Sequence, residues 1–288
     1  MNPGILQDFL AIVSELTLLF LGISFVIYLL EGYIPYEKMQ SLLSKRHPLF
    51  GALIAVAFAF VTPFCSCSTI PVVVTLFNQR VRFGIVMIFL FASPVLDPTI
   101  LTLMAALLGI KTAAVYAMIT ALLSILTGFA LEKLGFENQV KQVMVKGKAD
   151  FGKKRKAKDA LLETLRLMKT VFPYLLIGAG IGAIIRGAVP TEWISTHMGG
   201  DKWWLVPLAA IIGIPLYIRL SAMIPISQIL IAKGMALGPV MALLISSAGA
   251  SLPEIALLHG IFRKKLVLAF VASVITMAAL SGFLFYII

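Results

Sequence analysis

The chain has 288 residues, 60% of them hydrophobic and 13% charged, with a net charge of +11. Soluble globular domains are far less apolar, and no polar stretch here is long enough to form a separate nucleic-acid-binding domain, so the basic excess belongs to the loops of a membrane protein. Two cysteines are too few for a disulfide framework, and their i, i+2 spacing would strain a bridge between them.

In chain order the apolar segments are 9–30, 48–77, 83–108, 112–131, 171–189, 203–231, 239–259 and 266–287. Most have the roughly 20 residues that cross a hydrocarbon core. The first lacks a basic lead and a small-residue cleavage site, so a retained helix is expected rather than a signal peptide. Between the fourth and fifth segments lies a polar stretch whose centre, 146–156, carries lysines, an arginine and glycines. It is expected to be a cytoplasmic linker that fixes topology by the positive-inside rule. The expected product is an all-α, multi-pass protein of the cytoplasmic membrane: a first membrane unit over 1–132, a basic linker over 133–166 and a second unit over 167–288.

The second segment is interrupted by Thr62-Pro63-Phe64-Cys65-Ser66-Cys67-Ser68-Thr69-Ile70-Pro71. Proline removes a backbone donor and clashes with the preceding turn, so Pro63 and Pro71 predict a broken hairpin. Irregular backbone at membrane depth survives only inside protein or beside a cavity. On a regular helix positions i and i+2 point about 200° apart, so Cys65 and Cys67 can grip one ion only from an unwound tip. Thiolates prefer soft partners such as copper(I) or zinc, and by the same chemistry trivalent arsenic. Ser66, Ser68 and Thr69 add hydroxyl ligands. The plainer alternative is that both cysteines are small buried hydrophobes.

The halves repeat at an offset of 154 residues, which lays Ile70-Pro71 on Ile224-Pro225, Gly84 on Gly238, Ser93 on Ser247 and Lys111 on Lys265. Each half then holds three plain helices and one proline-broken hairpin, the second bounded by Pro215 and Pro225, for eight to ten hydrophobic helices in all. If each broken segment enters and leaves on one side, Lys38, Lys45, Arg46, Arg80, Arg82 and Arg263–Lys265 join the linker inside; if each crosses once, most fall outside. The positive-inside rule selects the hairpins, and hence inverted repeats with both termini outside.

Asp97, Glu254 and Arg219 are ionisable residues in the interior of apolar runs, while Glu15 lies nearer a helix end. At the repeat offset Arg219 matches Cys65 and Ser221 matches Cys67. Charges at membrane depth are costly, so they pair or serve a pathway. Two readings stay open: an ion pair of Arg219 with Asp97 or Glu254 that fixes packing, or a carboxylate that exchanges protons to drive transport while Arg219 attracts an anion. No nucleotide-binding or zinc-protease motif is present, and no cofactor is expected.

The run Pro63-Phe64-Cys65-Ser66-Cys67-Ser68-Thr69-Ile70-Pro71-Val72 resembles the hallmark Pro-Phe-Cys-Ser-Cys-Gly-x-x-Pro-Val of a bacterial and archaeal permease family that includes ArsP-type efflux permeases for trivalent organoarsenicals. The layout agrees over most of the chain, including Ser93–Pro98 and Pro253-Glu254. Ser68 stands where the family commonly has glycine. The resemblance implies a secondary permease, not an enzyme, exporting an organoarsenical or another soft, thiol-reactive solute held by Cys65 and Cys67 as a metalloid site, with proton coupling through Asp97 or Glu254. The partners implied are a small-molecule or metalloid substrate and the lipid bilayer, without nucleic acid. The alternatives are an anion or sulfur-compound permease built on Arg219 and a membrane thiol oxidoreductase.

Overall fold

The computed structural model describes residues 48–61, 66–141, 203–215 and 234–287, together with helical residues within 13–25, 161–176 and 227–231. Among the described residues the named helices are α1 (Pro48–Val61), α2 (Ser66–Asn78), α3 (Phe83–Ala92), α4 (Pro98–Leu108), α5 (Ile110–Lys133), α6 (Leu205–Gly213), α7 (Leu237–Gly249), α8 (Leu252–Ile261) and α9 (Lys264–Ile287). No strand occurs among them; one isolated bridge joins Val140 to Phe262. The chain is an all-α, multi-pass membrane protein.

Length separates two kinds of helix. At 1.5 Å per residue, α5 and α9, with 24 residues each, are about 36 Å long, enough to cross a core of about 30 Å. The others cover half that depth. In α5, Thr120, Ser124 and Thr127 donate their hydroxyls to carbonyls four residues back, which keeps them satisfied in an apolar setting.

Two segments expected to be plain helices are broken. The run 83–108 splits into α3 and α4 around Ser93–Asp97, and the run 239–259 splits into α7 and α8, which meet at 44°. Pro94 and Pro98 explain the first break, since neither can donate back into the preceding turn. Pro253 and the helix-starting Ser251 explain the second. Conversely Pro71, expected to break the chain, lies inside α2. It costs the helix one hydrogen bond there, and leaves the Cys67 carbonyl without its usual donor four residues on.

Equivalent elements begin 154 residues apart: Phe83 and Leu237, Pro98 and Leu252, Ile110 and Lys264. The packing repeats too. A Cβ on Gly128 would meet Ile88 and stand 2.9 Å from the Gly84 carbonyl oxygen; one on Gly282 would stand 2.9 Å from the Gly238 carbonyl oxygen and 3.0 Å from Ala242 Cβ. Each half thus crosses two helices, α3 on α5 and α7 on α9, at a glycine pair that lets their backbones touch.

The turn after α2 also recurs. Arg80 N–H donates to Phe77 O and Val81 N–H to Leu76 O; Gly234 N–H donates to Ile231 O and Met235 N–H to Leu230 O. This is the Schellman pattern, which needs a left-handed residue, supplied by Gly234 (φ 89°) but also by Arg80 (φ 56°). An L side chain in that conformation costs about 1 kcal/mol. Arg80→Gly should therefore raise the thermal midpoint of the detergent-solubilised protein; a lowered midpoint would mean that the Arg80 side chain contributes more than its strain costs.

Two apolar clusters interlock the halves. One gathers α1, α2, α3 and the later part of α5 with Leu257–Phe262 and the first half of α9. The other gathers α6, α7 and the end of α9 with Ile100 and Met104 of α4 and Ala113 and Tyr116 of α5. So α4 packs with the second half and α8 with the first. Past the end of α5, Lys141 N–H donates to Ile261 O and Arg263 N–H to Gln139 O, each at 2.9 Å. The end of α5 thus lies beside the start of α9, and the two long helices run antiparallel.

Candidate functional site

Helix directions bring the breaks together. Phe77 stacks on Phe83 and meets Phe262 edge-on, so the end of α2 lies beside the start of α3 and the end of α8. The other end of α2 holds buried Thr69, whose hydroxyl lies 3.2 Å from that of buried Ser93, at the end of α3. Hence α2 runs opposite to α3, and α2 and α8 run the same way. Phe58, late in α1, meets Phe89, late in α3, at 5.3 Å between ring centroids. So α1 runs with α3 and α2 returns.

One end of this assembly is basic, carrying Arg80, Arg82, Lys133, Lys141, Arg263, Lys264 and Lys265. Arg82 pairs with Glu132, and Lys141 Nζ donates to the His259 carbonyl. The half-helices α1 and α3 start near this end and stop about 15–20 Å in, given 1.5 Å per residue. Ser93, Thr69 and the break after Gly249 therefore lie near the middle of the apolar layer. There the breaks touch: a Cβ on Gly249 would lie 3.7 Å from Val95 Cγ2. Val95 and Gly249 are themselves 154 residues apart, so equivalent positions meet each other.

The sequence candidates fall as follows. Cys67, Ser66 and Ser68 belong to the first turn of α2, and the structure describes only their backbone. Cys65, Pro63, Arg219, Ser221 and Pro225 lie outside the described residues, while Pro215 closes the turn after α6. Asp97 directly precedes α4, and its carbonyl accepts from Leu101 N–H at 3.0 Å. Glu254 is fully buried and completes a capping box: Glu254 N–H donates to Ser251 Oγ, and Ser251 N–H to Glu254 Oε2, both at 3.4 Å.

That box is a role the two sequence readings of Glu254 did not include. Its signal, Ser-x-x-Glu with proline at the second helical position, stands in Ser251-Leu252-Pro253-Glu254. Ser93 and Thr69 come from different segments, and only the fold brings them together. The half-helices α2, α4 and α8 all begin in this central region. Orphan N–H groups and the positive ends of helix dipoles therefore converge on it.

Comparison with known proteins decides the class. A family model described as a predicted permease, ArsP_1, matches residues 4–287. The chain belongs to this permease family. It is 22% identical to a UPF0718 protein of Methanocaldococcus jannaschii, over 92% of each chain. It is 27% identical to the UPF0718 protein YraQ of Escherichia coli, over 82% of this chain and 68% of that one. A Streptococcus mutans protein named for a two-component membrane permease complex is 24% identical over 93% and 90%. No solved structure matches. The permease is a transporter rather than an enzyme.

Proposed function

We propose that this permease is a secondary exporter of the cytoplasmic membrane for trivalent organoarsenicals, or a like soft, thiol-reactive solute, bound by Cys65 and Cys67 at the point where two inverted repeats cross. The observation that carries the reading is the placement of the cysteine-bearing start of α2: one turn on, Thr69 is buried against Ser93 at mid-depth. The antiparallel run of α5 and α9, the repeated glycine crossings and the Val95–Gly249 contact support inversion. The opposite senses of α1 and α2 support a hairpin that enters and leaves at the basic end. By the positive-inside rule that end faces the cytoplasm.

The chemistry is exchange without redox. A methylarsenite carries two hydroxyls on arsenic. Each thiol that displaces one forms an As–S bond and releases water. Two such bonds hold the solute, and water or a second thiol reverses them, which a carrier requires. Ser66, Ser68 and Thr69 offer hydrogen bonds to the leaving hydroxyls.

The two carboxylates within the apolar runs are not equivalent in this account. Glu254 holds the start of α8 through its capping box, and Gln serves that role as well. Asp97 is half-buried at the break before α4, and in this reading it exchanges protons. Export driven by a proton gradient should therefore survive Glu254→Gln and lose its gradient dependence in Asp97→Asn. Gradient dependence lost in the first and kept in the second would reverse the assignment. Ser251→Ala should lower stability by about 1 kcal/mol, the usual worth of a cap, and leave the coupling intact. Resistance of arsenical-sensitive cells carrying wild type or Cys65→Ser with Cys67→Ser tests the reading as a whole: protection by the first only is expected, and equal protection by both would sink it.

A further inference from the structure

The cytoplasmic half of α2 carries three polar residues that the account above does not use. Thr75 and Gln79 are 6% and 7% exposed. Thr75 Oγ1, Asn78 Oδ1 and both amide ends of Gln79 are buried and have no hydrogen-bond partner among the described residues. Gln79 still belongs to the helical turn, since its N–H donates to Thr75 O at 3.0 Å.

At i, i+3 and i+4 these three share one face of the helix. At 100° per residue that face lies opposite the one holding Thr69, Val73 and Phe77, which meets α3. Followed toward the start of α2 it reaches the register of Ser68, two turns before Thr75.

Burying such groups unbonded costs about 1–3 kcal/mol each, and apolar side chains of the same shape would avoid the cost. The second half makes that substitution in part. At the same offset it has Ile229 for Thr75 and Ala232 for Asn78, with Lys233 for Gln79. Four unbonded polar atoms on one stripe of one half-helix, closed to water in this structure, are instead what a path that opens during transport needs, because water or a passing solute then supplies the missing partners.

We infer that Thr75, Asn78 and Gln79 line the cytoplasmic entry path to the central site, a path for uncharged, hydroxyl-bearing solutes. The stripe offers donors and acceptors but no charge, so it can exchange hydrogen bonds with a neutral hydroxylated molecule and its water without trapping an ion. The inference rests on the transport reading for its direction, and its test does not use an arsenical.

The test is thiol accessibility in full-length permease carrying Cys65→Ser and Cys67→Ser. Thr75→Cys, Gln79→Cys and, on the α3 side, Val73→Cys (0% exposed) are each exposed to a small membrane-impermeant thiol reagent from either face of sealed vesicles. Labelling after denaturation confirms that every thiol is present. The path predicts that Thr75→Cys and Gln79→Cys react from the cytoplasmic face at least about tenfold faster than Val73→Cys, because only an accessible thiol reacts. Equal rates at all three positions, or reaction only from the opposite face, would overturn it. Labelling as expected alongside absent arsenical transport would leave the path standing and remove the proposed solute.

Discussion

Purified permease in which both Cys65 and Cys67 are serine should lose detectable binding of a trivalent methyl- or phenylarsenical, and each single variant should bind about 100-fold more weakly than wild type. The reason is chelation. Once one thiol holds arsenic, the second meets it at the high effective concentration of a neighbouring residue, a gain of about 10²–10⁴ without any new contact. A single variant keeps the first bond and forfeits this gain. The double variant keeps only hydroxyls, which compete poorly with water. Serine is close to cysteine in size, so the fold should survive and the loss should be one of affinity. Binding measured by competition with a dithiol checks this. Single variants that bind as tightly as wild type would show that the two cysteines do not act together.

Gly128→Val and Gly282→Val should each strip the membrane of folded protein, and to a similar degree. At both positions a Cβ would press on backbone: the Gly84 carbonyl oxygen at 2.9 Å in one case, the Gly238 carbonyl oxygen at 2.9 Å in the other. Backbone in a packed helix cannot move aside as a side-chain end can. Overpacking costs about 1–3 kcal/mol where relaxation is possible and more at such a crossing, against a total stability of only about 5–15 kcal/mol. Gly84→Ala is the informative contrast. There the first obstacle is the Glu132 carboxylate, a flexible end that can swing away at the expense of its pairing with Arg82. Gly22→Ala, with nothing within 4 Å, should have no effect. Detergent-extracted yield of monodisperse protein measures all four. Unimpaired Gly282→Val would mean that α7 and α9 do not cross at this point.

Much of this architecture can be read from the residues. The lengths of the apolar runs mark the membrane, and the offset that pairs Gly84 with Gly238 and Ser93 with Ser247 also pairs the starts of α3, α4 and α5 with those of α7, α8 and α9. Hydropathy hides the breaks at Ser93–Asp97 and Ala250–Ser251, because half-helices that meet in mid-membrane are as apolar as one whole helix. Pro94, Pro98 and the capping signal Ser251-Leu252-Pro253-Glu254 give them away. Pro71 misleads in the other direction: a helix anchored by Phe77 and Thr69 on its neighbours tolerates the loss of one backbone bond. The Thr69–Ser93 pair and the Val95–Gly249 contact were not legible at all, since they depend on which segments lie side by side. Thr75, Asn78 and Gln79 stand at helical spacing in the sequence, but only the fold shows that polar atoms on all three are buried and unbonded.

The central claim is that the solute crosses by way of the two thiols at the meeting point of the half-helices. Uptake of radiolabelled methylarsenite into everted membrane vesicles tests it most directly. Wild type is compared with Cys65→Ser plus Cys67→Ser, with and without a proton gradient, and with arsenite, cadmium and copper(I) as further solutes. The account predicts gradient-stimulated uptake of methylarsenite by wild type and none above empty vesicles by the double variant. Uptake that persists undiminished in the double variant, or folded wild type that moves none of these solutes, would contradict it and turn attention to anions and Arg219.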